Sequence, residues 1–213
     1  MAGRNSDPKK RQSIIAAATR LFLKNGFGNT SMDDIAAAAK VTKQTVYAHF
    51  KNKDTLFADI ISAECMKHSP NEAMLSDEAL PIEALLFRVG RGFLAMISDP
   101  KGLAIHRLVM SEAERKPALA KLFYETGPKR MNDLLTTYLA RQNACGVLHI
   151  ANPASAASYF YSLLKGRYHL RMALKVKPLP TRAQLDQHVQ ETVAVFMHLY
   201  GGDNPINTQS VLE

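Results

Sequence analysis

Apolar residues recur along the chain at helical spacing, and this pattern predicts an all-α fold. In the first segment, Ile14, Ala18, Leu21 and Phe22 lie at i, i+4, i+7 and i+8, which is one face of a helix over residues 9–25. The sequence has no alternating run of useful strand length and no repeat of fixed period. Farther along, longer helical patterns cover about residues 81–98, 101–115, 117–142, 153–175 and 181–200.

Proline and glycine mark the breaks between these predicted helices. Gly127-Pro128 is different, because it lies inside the pattern over residues 117–142. Proline lacks the backbone donor and clashes with the preceding turn, so we expect that helix to kink or split. Gly146 to Ile150 is expected to form a loop or a very short extended piece.

Two short helices near the N-terminus have the spacing of a helix-turn-helix. Ser31 followed by Asp34 is close to a capping box and predicts a helix over residues 32–39. Thr42 is a second N-cap candidate, which opens a helix over residues 43–50. A tight turn joins them, and in such an arrangement the second helix lies in the major groove of DNA.

The second short helix has one apolar side and one polar side. At about 100° per residue, Val46 and Phe50 fall together, whereas Gln44, Thr45 and Ala48 lie on the other side. A glutamine can form hydrogen bonds with the edge of an adenine, and a threonine can contact a base or the methyl group of thymine. A lysine can bind the edge of a guanine or a phosphate. The tyrosine and histidine suit phosphates, as does a lysine that opens the next helix. We predict DNA contacts for Thr30, Ser31, Thr42, Lys43, Gln44, Thr45, Tyr47, His49 and Lys53.

The charge of the chain is uneven along its length. The 213 residues include 27 Lys and Arg and 19 Asp and Glu, for a net charge of +8. Residues 1–60 hold ten of the basic residues and five of the acids, so more than half of the net charge lies on little more than a quarter of the chain. A basic N-terminal unit indicates a polyanionic partner, DNA or RNA, and a solvated basic face is the alternative. With 46% hydrophobic residues the chain can bury a core, which excludes disorder throughout.

A signal more specific than a lone helix-turn-helix is carried by two runs, Gly26–Ala36 and Val41–Phe57. The second run contains the aromatic ending Tyr47-x-x-Phe50 and then Lys53. From residue 9 to about residue 66, the sequence resembles the DNA-binding domain of the TetR family of bacterial repressors. The resemblance implies a homodimer with one three-helix head on each half of a palindromic operator. It also implies a larger C-terminal domain that dimerises and holds a small-molecule inducer.

Two positions depart from the family pattern. Lys40 stands at the end of the first short helix, where the family often has glycine. A lysine in a left-handed cap conformation costs roughly 1 kcal/mol. Gln44 also stands where glycine is frequent, and we interpret it as a difference in base reading.

The C-terminal half carries a second resemblance, through the runs Arg107–Arg115 and Phe123–Pro128. Over about residues 85–170 it resembles the C-terminal domain of the AefR-like TetR subgroup, which implies a regulator, often of efflux or stress genes. The expected organisation is a flexible basic tail, a helix-turn-helix domain, a helical regulatory and dimerisation domain and a disordered tail, over residues 1–8, 9–66, 67–200 and 201–213.

Aromatic and methionine side chains in the C-terminal half are candidates for an effector cavity. At helical spacing such residues more often form plain core, and long polar residues more often lie in solvent or in structural ion pairs. The expected effector is apolar or amphipathic. Its candidate contacts are Phe87, Arg91, His106, Met110, Phe123, Met131, Tyr138 and Tyr161.

The last two helices, over about residues 153–175 and 181–200, are the predicted dimer interface. A reader of a two-fold operator is itself two-fold, which favours dimerisation over a plain covering of the monomer core. The predicted apolar surface comprises Tyr159, Phe160, Leu163, Leu164 and Leu170 on the first helix and Val189, Val193, Phe196 and Met197 on the second.

No motif indicates catalysis, a cofactor or a metal site. A Gly-rich phosphate loop, a Gly-x-Ser-x-Gly elbow and a zinc-protease motif are all missing, and the histidines lack ligand spacing. Cys65 and Cys145 fit a reducing cytoplasm, either as buried inert thiols or as an oxidant-sensing pair. With neither a membrane span nor a secretory signal, we expect a cytoplasmic protein.

The sequence thus predicts a ligand-controlled transcriptional repressor. Three alternatives stay open at this point. They are an enzyme with an accessory basic domain, a regulator of the same fold that lacks ligand sensing, and an activator.

Overall fold

A computed structural model describes residues 7–67 and 80–202 of the chain. The tails predicted for residues 1–8 and 201–213 lie largely outside these ranges. The described helices are α1 (Pro8–Asn25), α2 (Met32–Ala39), α3 (Lys43–His49), α4 (Lys53–Met66), α5 (Ile82–Ser98), α6 (Pro100–Glu112), α7 (Pro117–Tyr124), α8 (Arg130–Ala144), α9 (Pro153–Ala173) and α10 (Arg182–Tyr200). The predicted all-α class is confirmed.

The helix predicted over residues 117–142 is split, as the sequence indicated. Between α7 and α8, a π-helical turn spans Glu125–Lys129 and contains Pro128. Proline has no backbone N–H to donate to the preceding turn, so the α-helical pattern of hydrogen bonds is interrupted here, in agreement with the predicted split.

A short extended piece follows Gly146, also as predicted. Leu148 forms an isolated antiparallel bridge with Gly201, and the amide of His149 donates to the carbonyl of Tyr200 at 2.8 Å. Within the two described ranges, no helix combines the length and the apolar character that crossing a membrane requires.

Contacts along the chain divide it into two compact units. The first unit joins the residues up to Glu64 with Ala104–Gly127, and the second joins Cys65–Leu103 with the residues from Pro128 onwards. The boundary that we predicted near residue 66 ignores the later segment of the first unit. Residues 104–127 were expected to belong to the regulatory part alone.

The first unit has an aromatic core. The rings of Phe22, Phe27 and Phe57 contact one another with centroids 5.0–5.9 Å apart. Residues 104–127 reach this core, because the ammonium of Lys116 lies 5.0 Å from the centroid of the Phe27 ring. Glu112, on the same segment, faces the turn that follows α1 at Gly26. The loop between α1 and α2 is therefore packed against the segment that links α6 and α7.

The second unit is built on α5, α8, α9 and α10 around one apolar cluster. Leu85, Leu139, Phe160 and Phe196 are fully buried in it. Gly90 lets α5 approach its neighbours closely, since a Cβ there would lie 2.7 Å from Cγ1 of Val189.

Helix α9 is interrupted at Gly166, whose φ of 31° and ψ of −136° are not helical. His188 of α10 lies at this break, with its Nε2 atom 3.1 Å from the carbonyl oxygens of Leu163 and Leu164. In the tautomer that carries its proton on Nε2, the ring can donate to these carbonyls at the break.

Part of the apolar surface that we predicted for dimerisation is exposed. On α9, Tyr159, Leu163 and Leu170 are exposed, whereas Phe160 and Leu164 are buried in the core of the unit. On α10 our assignment was wrong, because three of the four predicted residues face that core, namely Val189, Val193 and Phe196. The exposed apolar side chains of α10 are instead Val195 and Leu199.

Cys145 is exposed and Cys65 is partly buried. The interpretation of both residues as buried inert thiols is therefore wrong for Cys145.

Lys40 adopts the left-handed conformation that its position predicts. Its φ is 55° and its ψ is 43°, and its amide caps α2 by donating to the carbonyls of Ala36 and Ala37. A side chain is strained in this conformation, so Lys40→Gly should raise the free energy of unfolding by about 1 kcal/mol. Urea unfolding tests this, with Lys40→Ala as the control that removes the charge but keeps the Cβ atom. An equal gain in both variants would point to charge and contradict the backbone explanation.

Candidate nucleic-acid interface

Side-chain caps determine where the two helices of the helix-turn-helix begin. Ser31 accepts from the amide of Asp34 at 3.1 Å, and the carboxylate of Asp34 accepts from the amide of Ser31 at 2.9 Å, which completes the predicted capping box. The hydroxyl and then the amide of Ser31 lower the pKa of Asp34. Thr42 caps α3 by accepting from the amide of Thr45 at 3.2 Å. Both helices therefore begin at positions fixed by their own first turns.

Helix α3 has the two sides that the sequence predicted. Val46 is completely buried and Phe50, just beyond its end, is 2% exposed, so these residues anchor the helix to the core. Gln44 and Ala48 are exposed, and Tyr47 is 48% exposed. The outer side of α3 therefore exposes the amide of Gln44, the methyl group of Ala48 and the phenol of Tyr47, while the opposite side packs against the core.

Thr45 and His49, which are also predicted to contact DNA, are less exposed than the outer side of α3. The hydroxyls of Thr42 and Thr45 bond each other at 2.8 Å, and Thr45 is only partly exposed. His49 is also partly exposed, and its ring lies 6.2 Å from that of Phe50. Ser31 is exposed at the start of α2. These four residues can reach DNA only with the side chains partly engaged in the head itself.

Lys43 forms an ion pair across the two short helices. Its ammonium lies 2.9 Å from Oδ1 and 3.0 Å from Oδ2 of Asp33 on α2. The hydrogen bond with Asp33, followed by the charge of that carboxylate, raises the pKa of Lys43. Both side chains are about 60% exposed, so DNA could reach the lysine but would compete with a carboxylate for it.

Thr30 and Lys53 do not present the side chains that we predicted. Thr30 is 1% exposed, and its hydroxyl donates to the carbonyl of Gly26 at 3.0 Å. The ammonium of Lys53 donates to the carbonyls of Phe27 at 2.7 Å and Thr30 at 2.8 Å, with a longer contact to Gly28 at 3.4 Å. Burial, and next the charge of Lys116, lower the pKa of Lys53. These side chains tie the α1–α2 loop to α4. The carbonyls hold the Lys53 ammonium in this arrangement, and its phosphate contact stays a prediction.

The predicted effector contacts fall in both units. Phe87, Arg91 and the buried residues Met131, Tyr138 and Tyr161 belong to the second unit. The structure brings two of them together, because the hydroxyl of Tyr161 lies 3.4 Å from the carbonyl of Met131. Burial raises the pKa of Tyr161. These three buried side chains belong to the apolar cluster of the unit, so plain core explains their apolar character.

The other three candidates belong to the first unit. The rings of His106 and Phe123 lie 5.9 Å apart, whereas Met110 is 65% exposed. Met110 is therefore open to solvent, and its predicted contact with an effector stays a prediction.

Two family profiles match the chain. One, described as bacterial regulatory proteins of the tetR family, matches residues 14–60, which hold the helix-turn-helix. The other, described as the C-terminal domain of AefR-like transcriptional repressors, matches residues 84–202, more than half of the chain. The chain belongs to the TetR family of transcriptional regulators. Both sequence resemblances are thereby confirmed, and TetR-family members are DNA-binding repressors, not enzymes.

Known TetR-family proteins resemble the chain over nearly its whole length. A TetR-family regulator from Mesorhizobium loti is 30% identical with a TM-score of 0.76, over 93% of this chain and 99% of that one. The flavonoid-responsive regulator FrrA is 34% identical with a TM-score of 0.75, over 92% of this chain and 100% of its own. The uncharacterized regulator YvkB of Bacillus subtilis is 27% identical over 179 residues, 81% of this chain and 89% of that protein.

From the Asp33–Lys43 ion pair we predict a change in the affinity of the TetR-type head for DNA of random sequence. Asp33→Asn frees the ammonium of Lys43 for phosphates, so affinity for a random duplex should rise roughly threefold to tenfold at low salt. The plot of log K against log salt should become steeper by about one phosphate contact. Binding titrations at several salt concentrations measure both quantities.

A double-mutant cycle supplies the control for this prediction. In a Lys43→Met background, Asp33→Asn should retain only the smaller effect of removing one negative charge. Asp54→Asn, which removes another acid of the same head, calibrates that general effect. The same gain with and without Lys43 would show that the ion pair plays no part.

Proposed function

We propose that this repressor acts as a homodimer on a palindromic operator and leaves it when a small molecule binds the C-terminal region. The observation that carries the proposal is the outer side of α3, where Gln44, Ala48 and Tyr47 stand exposed on a helix anchored by Val46. An amide beside a small side chain suits close approach to base edges in the major groove. Because the operator DNA of a bacterial cell lies in the cytoplasm, we place the protein there.

The exposed apolar stripe on the last two helices supports dimerisation. Tyr159 and Leu163 lie one turn apart on α9, and Val195 and Leu199 lie one turn apart on α10. All four are large and 39–57% exposed, and exposed apolar patches of this kind mark protein interfaces. A second copy of the chain would cover this stripe by two-fold symmetry, which would place two heads on one operator.

The relatives support regulation by a small molecule. FrrA, 34% identical to this chain, is described as flavonoid-responsive. An effector that binds one arrangement of the dimer better than the arrangement bound to DNA lowers operator affinity by linkage. Flavonoids therefore belong in the first ligand screen. A compound with equal affinity for both states would leave the operator occupied.

Selection from a randomised duplex library at about 150 mM salt tests the operator proposal. A two-fold palindrome among the selected sequences is the expected result, with a half-site spacing that reports the separation of the heads. Enrichment of a single half-site would contradict the homodimeric reading. Binding without any enrichment would contradict sequence-specific recognition.

Gln44 should carry much of the base preference. Gln44→Ala removes the amide that can pair with an adenine edge, so it should cost about 1–3 kcal/mol on the selected operator and relax the preference at one position of each half-site. Repeating the selection with the variant measures both effects. Lys51→Ala, a change at an exposed lysine just beyond α3, is the comparison, because loss of a phosphate contact should weaken binding to all sequences without changing the base preference. An unchanged preference would contradict the assignment of Gln44 to base contact.

A further inference from the structure

A groove in the second unit lies between the end of α5, the end of α9 and the start of α10. Its volume is about 470 Å³, within the range of roughly 300–1,000 Å³ that small-molecule sites occupy. Arg91 is the one predicted effector contact among its lining residues. Met131, Tyr138 and Tyr161 do not line the groove, although Leu94 and Val189 of the same buried cluster do.

The floor of the groove is apolar. Leu94, Met172 and Val189 line it and are at most 2% exposed, so they are fixed by the core beneath. Leu179 stands at the groove with 52% of its surface exposed. A ligand seated here would cover the exposed surface of Leu179, which favours an apolar body.

Two guanidinium groups of the groove share a single carboxylate. Arg91 lies 3.1 Å from Oδ1 of Asp186, and Arg182 lies 4.0 Å from Oδ2 of the same residue. Arg91 is also held by the ring of Phe87, whose centroid is 5.9 Å away. Arg182 is the loosely held member, since 80% of its side chain is exposed. This cluster carries one positive charge beyond what Asp186 balances.

The second acid of the groove is Asp99, so the two arginines and the two aspartates of the lining balance one another. The Oδ2 atom of Asp99 accepts from the amides of Lys101 and Gly102, each at 2.9 Å, at the start of α6. The positive end of the helix dipole thus stabilises this carboxylate in place. The connection from Arg171 to Arg182 adds Lys175 and Lys177 and contains no acid, so the field around the groove attracts anions.

We propose that this groove is a binding site for a small amphipathic anion. Its apolar body lies on Leu94, Met172 and Val189, and its anionic group replaces Asp186 as the partner of Arg182. The claim that this groove holds the effector rests on the proposed function. Binding of an anion to the groove does not depend on that function, because it is measured without DNA.

Decanoate is the probe, and decanol and decyltrimethylammonium are its uncharged and cationic counterparts. Binding to the full-length protein is followed by the methyl signal of Met172 in a sample labelled at the methionine methyl groups, and by calorimetry. A Met172→Leu variant assigns that signal. We expect decanoate to shift the Met172 signal and to bind more tightly than either counterpart.

Two charge variants should act in opposite directions. Arg182→Gln should weaken decanoate binding roughly threefold to fivefold, because it removes an exposed partner of the anion. Asp186→Asn should strengthen binding by a similar factor, because it removes the competing carboxylate. Arg88→Gln, at an exposed position of α5 that does not line the groove, should leave binding unchanged. Opposite signs cannot arise from a general loss of structure, which would weaken binding in both variants.

Three results would overturn the site. They are a Met172 signal that decanoate does not move, equal binding of decanol and decanoate, and a change of the same sign in Arg182→Gln and Asp186→Asn. The operator titration is separate. Release of DNA by a compound that leaves the Met172 signal unmoved and does not compete with decanoate would support the proposed function and contradict the groove as the place of its effector.

Discussion

Gly90→Val should destabilise the second unit by about 2–3 kcal/mol. A Cβ atom at position 90 would lie 2.7 Å from Cγ1 of Val189 and 3.2 Å from Cδ2 of Leu164. Neither neighbour is a flexible chain end, and both residues are completely buried, so α5 must move away from α9 and α10. Thermal and urea unfolding followed by circular dichroism measure the loss.

Ala95→Val is the matched control for this prediction, because it adds a β-branched side chain at an exposed position of the same helix. It should cost only a few tenths of a kcal/mol, the loss in helix propensity. Adding Val189→Ala to the Gly90→Val variant should recover part of the lost stability by removing the clashing methyl groups. A Gly90→Val protein as stable as the Ala95→Val protein would contradict the close packing at Gly90.

Lys53→Met should cost about 2 kcal/mol of stability in the first unit. The ammonium donates to the carbonyls of Phe27 and Thr30 and lies 4.7 Å from the centroid of the Phe27 ring. Methionine fills the space of the lysine stem but leaves the two carbonyls without their donor. Hydrogen exchange of the α1–α2 loop and urea unfolding measure the effect.

Lys51→Met is the control, since it removes the same charge from an exposed position two residues earlier. The salt dependence of DNA binding separates the two possible roles of Lys53. A structural lysine leaves the slope of log K against log salt unchanged, whereas a phosphate contact lowers it by about one. A lowered slope in Lys53→Met, with unchanged stability, would support the phosphate contact that the sequence suggested.

Local patterns predicted the helices well. The period, the caps and the prolines of a helix are each visible within a few consecutive residues. Ser31 and Asp34 therefore predicted the start of α2, and Pro128 predicted the split between α7 and α8. The outer side of α3 could also be predicted from neighbouring residues alone. Val46 and Phe50 identify the buried side of the helix, and Gln44 lies on the opposite side.

Contacts between distant segments could not be predicted in this way. Lys53 meets carbonyls 23 to 26 residues earlier in the chain, and no period in the sequence links those positions. For α10, the pattern showed one apolar face at Val189 and Phe196 and led us to assign it to the dimer, but that face packs in the core. Val195 and Leu199 form a second, shorter apolar stripe, which a single-face analysis overlooks.

The contact of Lys116 with the Phe27 ring has a consequence for exchanging heads between regulators. A chimera that joins residues 1–66 of this chain to the C-terminal half of another member would leave behind residues 104–127, which complete the first unit. The α1–α2 loop would then meet an unmatched side chain in place of Lys116, whose ammonium would lie only 2.7 Å from a Cβ atom at Gly28. We expect a transplant that keeps operator preference to need both pieces of the chain, because the first unit is made of two separate segments of the sequence.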